Sequence, residues 1–286
     1  MPTVTPQLVK QLRDRTDQPM GLCKQALDLN DGDMDKAIDY LKSLNSKMQA
    51  KREGNETAEG RIGVFFDNAA KAAAIVEVRC ESAPSAKSDQ FIALANDLAK
   101  FVASSKAADV SAVLVEPYGK GTVQDRINDT VGVIREKMVL QRFQRLSGGV
   151  YGSYIHHDGT VGVLVECKGT AGAGIDELLR DVAAHIAALN PPNASPADVP
   201  VEQMDKEKAT VKEEMDSDPK MGSKPANILE KITADKLSKR LSEYVLSEQQ
   251  MANDIKYPKT TVGAALKKAG LEPVRFVRFK VGAVAL

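Results

Sequence analysis

KAAAIVEVRCESAPSAKSDQFIALANDLAKFVASS, residues 71–105, decides the fold because the same order of segments returns further along the chain. Residues 73–80 are an apolar run typical of a buried strand. A polar loop follows, and residues 89–105 carry apolar side chains at helical spacing. The stretch therefore predicts a strand, a loop and a helix that packs on the strand.

The second copy has its strand at residues 161–167, its loop at 168–174 and its helix at 175–189. The matched positions are Cys80 with Cys167, Leu94 with Leu178, Asp97 with Asp181, Leu98 with Val182, and Val102 with Ile186. An extended segment precedes each copy, at residues 61–66 and 150–155. We expect two similar subdomains side by side, each a hairpin with a helix.

Composition limits the kinds of partner. The chain has 286 residues, 43% of them hydrophobic, which is enough for a sizeable core and two or three compact units. Lys plus Arg and Asp plus Glu both number 39, so no net positive field favours nucleic acid or an anionic membrane surface. A protein partner is the better expectation, with no direct nucleic-acid or membrane contact.

Cysteines and the N-terminus indicate the compartment. Cys23, Cys80 and Cys167 lack the spacing of a disulfide framework or a zinc site, which favours a reducing environment. The sequence begins without a basic and then apolar leader, and no apolar run approaches the roughly 20 residues that span a bilayer. We therefore expect a cytoplasmic protein.

The first 45 residues predict a bundle of three short helices. Thr5 and Pro6 form a helix start, Pro19 breaks that helix, and a turn at residues 30–33 precedes the third. So small a bundle usually presents a surface to a partner, although a packed N-terminal cap is the alternative. Residues 46–60 are polar and charged, and we interpret them as a linker.

The rest of the chain completes an α+β protein. Residues 122–137 predict a helix and residues 139–146 a strand. After Leu189, a proline-rich connector leads to helices at 201–215 and 228–245, which predict a projecting helical hairpin. A helix at 261–269 and a strand at 274–281 close the chain, the strand returning to the second subdomain's sheet.

These elements give five predicted regions: the bundle at 1–45, the linker at 46–60, core subdomain N at 61–138, core subdomain C at 139–190 with 248–286, and the helical arm at 191–247. Both core subdomains are expected to be small antiparallel sheets with packed helices.

No motif for covalent chemistry is present. The loop GTAGAG at residues 169–174 lies between a strand and a helix, but it lacks the Lys-Ser/Thr and the glycine spacing of nucleotide loops, so we interpret it as a flexible turn. His156, His157 and Asp158 lie near the tip of a hairpin whose turn contains an Asp-Gly pair. Neighbours on a strand point to opposite faces, so we expect these to be surface or interface residues. The only other histidine is His185, and no metal, cofactor or catalytic residue is predicted.

The residues that carry a family resemblance occur along nearly the whole chain. They are LVKQLRDRT at 8–16, Met20, CKQAL at 23–27, GDMDKAI at 32–38, Arg142-Phe143, GSYIH at 152–156, VGVLVE at 161–166, SKP at 223–225, ILEKI at 228–232 and KTTVG at 259–263. With these residues the chain resembles bacterial elongation factor Ts, the family of guanine-nucleotide exchange factors for elongation factor Tu.

The resemblance implies a fold and a partner. The fold would be a ubiquitin-associated-like bundle, a two-part core and a coiled-coil arm, and the partner would be elongation factor Tu, whose GDP is released without covalent chemistry or a cofactor. It implies that Lys10, Arg13, Met20 and Gly21 contact the partner's nucleotide domain. His156 would lie at a contact position of the second subdomain.

One segment departs from the family pattern. Where the family commonly has Thr-Asp-Phe-Val after the cysteine, with the Asp-Phe pair beside the partner's magnesium site, this chain has Ser82, Ala83, Pro84 and Ser85 after Cys80-Glu81. Ala83 cannot make a carboxylate's contacts, and Pro84 is smaller than a phenyl ring but fixes its backbone. Our hypothesis is that the 82–85 segment displaces the magnesium site through its backbone.

Alternatives stay open at this point. The chain could be a non-exchanging or chaperone-like adaptor of the same partner, or a metabolic enzyme that uses the 169–174 loop or the histidine pair. Some family members extend beyond the final strand with another helix, which we do not expect in a sequence ending at Leu286. The sequence also leaves open a homodimer within a 2:2 complex.

Overall fold

The computed structural model describes residues 4–221 and 224–283, so Ser223 of the resemblance and the end at Leu286 lie outside the described residues. Its helices are α1 (Pro6–Thr16), α2 (Met20–Leu29), α3 (Met34–Lys51), α4 (Ala83–Ala86), α5 (Asp89–Ser104), α6 (Val110–Leu114), α7 (Val123–Ile134), α8 (Ile175–Leu189), α9 (Val201–Asp216), α10 (Ala226–Leu241) and α11 (Val262–Lys268). Its strands are β1 (Glu59–Asp67), β2 (Ala72–Cys80), β3 (Pro117–Tyr118), β4 (Gly121–Thr122), β5 (Met138–Ser147), β6 (Val150–Ile155), β7 (Val161–Lys168) and β8 (Glu272–Lys280). The α+β class is confirmed.

Three helices form the N-terminal bundle, as the sequence predicted. The Thr5 side chain accepts a hydrogen bond from the Leu8 N–H at 3.3 Å, and Pro6 occupies the first helical turn. Asp33 caps α3 by accepting from the backbone N–H groups of Asp35 and Lys36. The bundle's own core consists of Val9, Leu12, Cys23, Ala26, Leu27, Ala37 and Leu41.

The linker predicted at residues 46–60 is wrong in its first half, because α3 continues to Lys51. Met48 packs against the core of the first subdomain, so this polar stretch has a buried side. The Gln49 side chain donates to Met138 O at 2.6 Å and accepts from Met138 N at 3.3 Å, which joins α3 to the edge of β5. A long helix thus connects the bundle rigidly to the core.

The first sheet has the order β1-β2-β5, with both pairs antiparallel. The strand predicted at 139–146 is present as β5. Its assignment to subdomain C is wrong, because β5 pairs with β2 in the first sheet, where Ala72 faces Ser147 and Cys80 faces Met138. The chain thus leaves the first sheet only after Ser147. Pairing between distant strands is set by tertiary packing, which a local pattern does not encode.

The second sheet has the order β6-β7-β8, and the predicted return of the closing strand to this sheet is confirmed. The inner faces of the two sheets share one apolar cluster, while α5 and α8 cover the outer faces. The buried members of the shared cluster are Ile62, Ala73, Ile75, Leu146, Tyr151, Leu164 and Phe279. The core is therefore layered as helix, sheet, sheet and helix.

The internal repeat extends to individual packing contacts. A Cβ added at Gly63 of β1 would lie 2.3 Å from Ala95 O of α5, and one at Gly152 of β6 would lie 2.3 Å from Leu179 Cβ of α8. Gly63 and Gly152 each hold the third position of their extended segment, and both glycines let a helix approach a strand closely. The two subdomains therefore use the same helix-on-sheet contact.

We expect Gly63→Ala to destabilise the protein by about 1 to 3 kcal/mol, because the added methyl group meets a helix carbonyl that cannot rotate away. Urea unfolding followed by circular dichroism measures the change. Gly54→Ala is the matched control, since no atom lies within 4 Å of a Cβ added there. Equal unfolding midpoints for the two variants would contradict this packing.

The predicted helical hairpin is present as α9 and α10, although α10 ends at Leu241 rather than at Val245. Charged side chains link the helices, with Arg240 bonded to Glu207 at 2.6 Å and Lys236 to Glu214 at 2.9 Å. Apolar packing concentrates at the root, where Val199, Leu241 and Val245 are buried. Apolar packing therefore holds the arm at its base, and ion pairs between α9 and α10 stabilise it along its length.

A buried histidine joins α8 to the chain that returns from the arm. His185 Nδ1 accepts from the Ala252 N–H at 3.1 Å, so its Nε2 carries the hydrogen and donates to Gln249 Oε1 at 2.9 Å. Burial lowers the pKa of His185, and the bond to Gln249 only partly offsets this. The folded protein therefore keeps this ring neutral.

The free energy of unfolding should fall as pH drops below about 6.5. Below that pH the unfolded chain binds a proton at His185, whereas the folded protein, in which the pKa of His185 is lowered, does not yet bind it. The stability that neutral His185 contributes is fully present above the pKa of His185 in the unfolded chain. It is lost as pH falls toward the lowered pKa of His185 in the folded protein. His185→Gln, which removes the titrating group, should flatten the dependence of unfolding free energy on pH between 7 and 5. His157→Gln removes an exposed histidine and serves as the control; the same slope in His185→Gln as in the parent would refute the assignment.

Candidate functional site

The four bundle residues that the family resemblance singles out are exposed on α1 and at the start of α2, a surface we call the bundle corner. Lys10 and Arg13 lie one turn apart on α1, and Gly21 has open space around its Cα. Met20 is 45% exposed at the start of α2, although it is a large apolar side chain. Exposed cations on α1 and an exposed methionine at the start of α2 are suited to contact with a protein surface.

This corner of the bundle is fixed to the core by polar contacts. Buried Gln18 donates to Asp129 O of α7 at 3.4 Å, and Asn45 donates to Asp129 Oδ1 at 3.4 Å. A Cβ added at Gly132 of α7 would lie 2.1 Å from the Asn45 side chain, so α3 and α7 are in close contact. The bundle therefore has one defined orientation on the first subdomain.

A cleft of about 600 Å³ lies between the bundle and the first subdomain. Its walls carry charges of both signs, among them Arg15, Lys42, Asp17 and Asp129. Within residues 4–221 and 224–283, no group of three or more His, Cys, Asp and Glu side chains is placed to hold a metal ion.

The segment after Cys80 was predicted as a loop, but it contains the one-turn helix α4. Ser82 caps this helix, its hydroxyl oxygen accepting from the Ser85 N–H at 3.5 Å, and Pro84 stands in the first turn. Pro84 is exposed, whereas Ser82, Ala83 and Ser85 are half-buried. Residues 82–85, the capped turn, thus expose the Pro84 ring most and offer no carboxylate or aromatic ring to an approaching surface.

His156 and His157 lie in the turn between β6 and β7. Their rings are 4.2 Å apart edge to face, so the expectation that they point to opposite faces is wrong; strand alternation ends at Ile155. His156 Nδ1 is 3.2 Å from the Tyr154 hydroxyl, and His156 is half-buried whereas His157 is exposed. The pair is one aromatic and polar surface feature.

Asp158 and Gly159 fix the position of this histidine turn. The Asp158 carboxylate accepts from the Thr160 backbone N–H at 2.9 Å. Partial burial acts to raise the pKa of Asp158, but the hydrogen bonds from Thr160 and the nearby histidines lower it more, so the pKa lies below its usual value. Gly159 O accepts from the Ile62 N–H at 2.9 Å, which ties the turn to β1 of the first subdomain. The histidine turn is therefore supported by both halves of the core.

The predicted site residues lie on separate elements: the bundle corner, the capped turn and the histidine turn. The structure does not bring them into one pocket of the described chain. Such a distribution suits an extended protein surface better than a small molecule. Sequence reasoning missed the residues that hold the capped turn in place, Glu81, Glu136 and Arg52, because no local pattern connects them.

Across residues 4–221 and 224–283 no helix combines the length and the apolar character that crossing a membrane requires.

Comparison with known proteins gives a consistent result. The family model described as "Elongation factor TS" matches residues 85–283. An elongation factor Ts of Pediococcus pentosaceus is 38% identical over 286 residues, covering 99% of this chain and 93% of that protein. The elongation factors Ts of Bordetella petrii and Thiobacillus denitrificans are 36% and 38% identical over 283 residues each, covering 99% of this chain and 92% and 93% of theirs.

Proposed function

The chain belongs to the elongation factor Ts family, and on this premise we propose that it binds elongation factor Tu carrying GDP and promotes the release of GDP, so that GTP can bind. The process needs no bond-making side chain. A factor that binds the nucleotide-free partner more tightly than the GDP-bound form must, by linkage, weaken the partner's hold on GDP by the same factor.

The observation that carries the proposal is the family membership over nearly the whole chain, and the capped turn at residues 82–85, whose most exposed residue is Pro84, is the part that acts on the magnesium site in the proposal. Two other surfaces supply affinity in the proposal. Lys10, Arg13, Met20 and Gly21 grip the partner's nucleotide domain, and the histidine turn with His156 contacts a second surface. The capped turn then competes with the GDP-bound arrangement of the magnesium site.

Finer features of the family belong to the same proposal. We take the α1–α3 bundle to be ubiquitin-associated-like and the α9–α10 arm to be a short coiled coil that contacts the partner beyond its nucleotide domain. We place the protein in the cytoplasm, where translation occurs. A 2:2 complex through a homodimer is a further hypothesis, which light scattering of the purified complex tests by mass.

Differential binding is the direct test. Titration calorimetry of the chain into nucleotide-free and into GDP-bound elongation factor Tu should give a dissociation constant at least about 10-fold lower for the nucleotide-free form, since typical coupling factors are about 5 to 150. Equal affinities would refute exchange.

The adaptor remains the second candidate, and one observation favours it. Ala83 and Pro84 occupy the place of the acid and the aromatic ring that the family commonly uses. An adaptor would bind the partner in both nucleotide states with the same affinity, so the calorimetry separates the two candidates.

A further inference from the structure

Residues outside the capped turn fix its position. Glu136, between α7 and β5, accepts from the Ser82 backbone N–H at 3.0 Å and from the Ser82 hydroxyl at 2.7 Å. Because the Ser82 hydroxyl gives its proton to Glu136, its lone pairs are free to accept the Ser85 N–H. One carboxylate thus both anchors the turn and orients its cap.

A second carboxylate acts on the residue just before the turn. Glu81 accepts from Arg52 at 3.0 Å and from Asn55 at 2.9 Å, and the backbone N–H of Lys137 also donates to it. The Arg52 and Glu81 side chains are 34% and 20% exposed, so solvent screens their attraction less than it would screen an ion pair on the open surface.

These contacts connect the capped turn to the N-terminal bundle. Arg52 follows the last residue of α3, and α3 runs without interruption from Leu41 in the bundle core to Lys51. The bundle corner and the capped turn are therefore attached to the same rigid helix. A partner held by the bundle meets the turn in one fixed orientation.

A turn without a carboxylate or an aromatic ring can displace a bound group only by its shape, and shape acts only if the turn does not yield. A four-residue helix has no stability of its own, because the first helical turn is costly to nucleate. The stiffness must come from the surroundings. Ala86 at the end of α4 is buried in the core of the first subdomain, and the polar contacts of Glu136, Glu81 and Arg52 fix the exposed side of the turn.

We propose that Glu136 and the Glu81–Arg52 pair are positioning residues that hold the capped turn in the orientation needed for GDP release. The inference rests on the proposed function and gives these residues no contact with nucleotide. They act through the turn, and they compensate for the loss of the family's Asp-Phe pair with rigidity.

Glu136→Ala tests the proposal in the full chain. The maximum rate of GDP release at saturating factor should fall by about 10-fold, since small misplacements of a working group have large effects on rate. The concentration that gives half of the maximum should change by less than about 2-fold, because the bundle and the histidine turn still bind. Glu136→Gln keeps one acceptor oxygen, so its maximum rate of GDP release should lie between those of Glu136→Ala and the parent.

Glu53→Ala is the matched control. Glu53 lies near the same contacts but contributes its backbone carbonyl, which accepts from the Lys137 ammonium group, so removal of the Glu53 side chain leaves the contacts of Glu136, Glu81 and Arg52 intact. Amide hydrogen exchange gives a second readout: Glu136→Ala should speed exchange at Ser82 and Ser85 and leave β2 protected.

The outcomes are distinct. A parent chain that does not accelerate GDP release refutes the proposed function itself. A parent that accelerates release while Glu136→Ala matches Glu53→Ala overturns the positioning role alone. If Glu136→Ala raises the concentration that gives half of the maximum and leaves the maximum rate unchanged, the positioning role is also overturned, because that result describes a binding residue.

Discussion

Replacement of Ser82, Ala83, Pro84 and Ser85 by glycine should lower the maximum rate of GDP release by about 100-fold. Each glycine adds roughly 0.5 to 1 kcal/mol to the cost of ordering the segment, so four of them add about 2 to 4 kcal/mol, and 1.4 kcal/mol corresponds to tenfold in rate. The replacement also removes the Ser82 cap and the exposed ring of Pro84. Stopped-flow release of a fluorescent GDP analogue measures the effect.

The second copy of the repeat supplies the control for this replacement. Its equivalent loop after β7, residues 169–174, becomes all glycine through changes at Thr170, Ala171 and Ala173, and this variant should keep the parent's release rate. If the all-glycine 82–85 chain accelerates release as well as the parent, displacement by the capped turn is wrong and other contacts drive exchange.

The second large effect concerns stability. Glu77 is fully buried, and its carboxylate accepts from Arg79 at 2.7 Å, Arg142 at 2.6 Å and the Gly282 N–H at 3.1 Å. It lies at a bulge of β2 and joins the first sheet to the residues that follow β8. Glu77→Ala leaves two arginines without their partner and should destabilise the protein by about 3 to 5 kcal/mol.

Urea unfolding measures the change, and Glu116→Ala is the control, because the Glu116 side chain makes no hydrogen bond or ion pair within residues 4–221 and 224–283. The comparison separates the loss of a buried ion pair from the loss of one negative charge. Glu77→Gln keeps one acceptor oxygen, so its free energy of unfolding should fall by less than that of Glu77→Ala. A loss within about 0.5 kcal/mol for Glu77→Ala, the range of ordinary surface changes, would show that the carboxylate is not essential to the junction.

Local periodicity was enough to locate the main helices and strands. The repeat was visible because strand and helix patterns with a cysteine at the same place recur, and the structure places Cys80 and Cys167 in equivalent buried positions. Caps such as Thr5 before α1 marked helix starts. These features depend on neighbours in the sequence, which is why they could be predicted.

Features set by distant contacts were missed. Residues 46–51 look like a linker by composition, yet they continue α3 because Met48 and Gln49 find partners on the first subdomain. The strand β5 pairs with β2, although it follows the first subdomain's last long helix in the sequence. Neither contact has a signature within a window of sequence.

The candidate site was predictable in part. Exposure at Lys10, Arg13, Met20 and Gly21 agrees with a contact role, but the resemblance chose these positions and no local pattern did. The support of the capped turn by Glu136 needed the structure, since Ser82 and Glu136 are far apart in the sequence. Rigidity is a tertiary property, and it does not show in composition.

The central claim is nucleotide exchange, and the most direct measurement is release of a fluorescent GDP analogue from elongation factor Tu with and without this chain. The account predicts a release rate that rises with the concentration of the chain and reaches a plateau. Formation of a stable complex with no acceleration of release would contradict it and would leave an adaptor of the same partner.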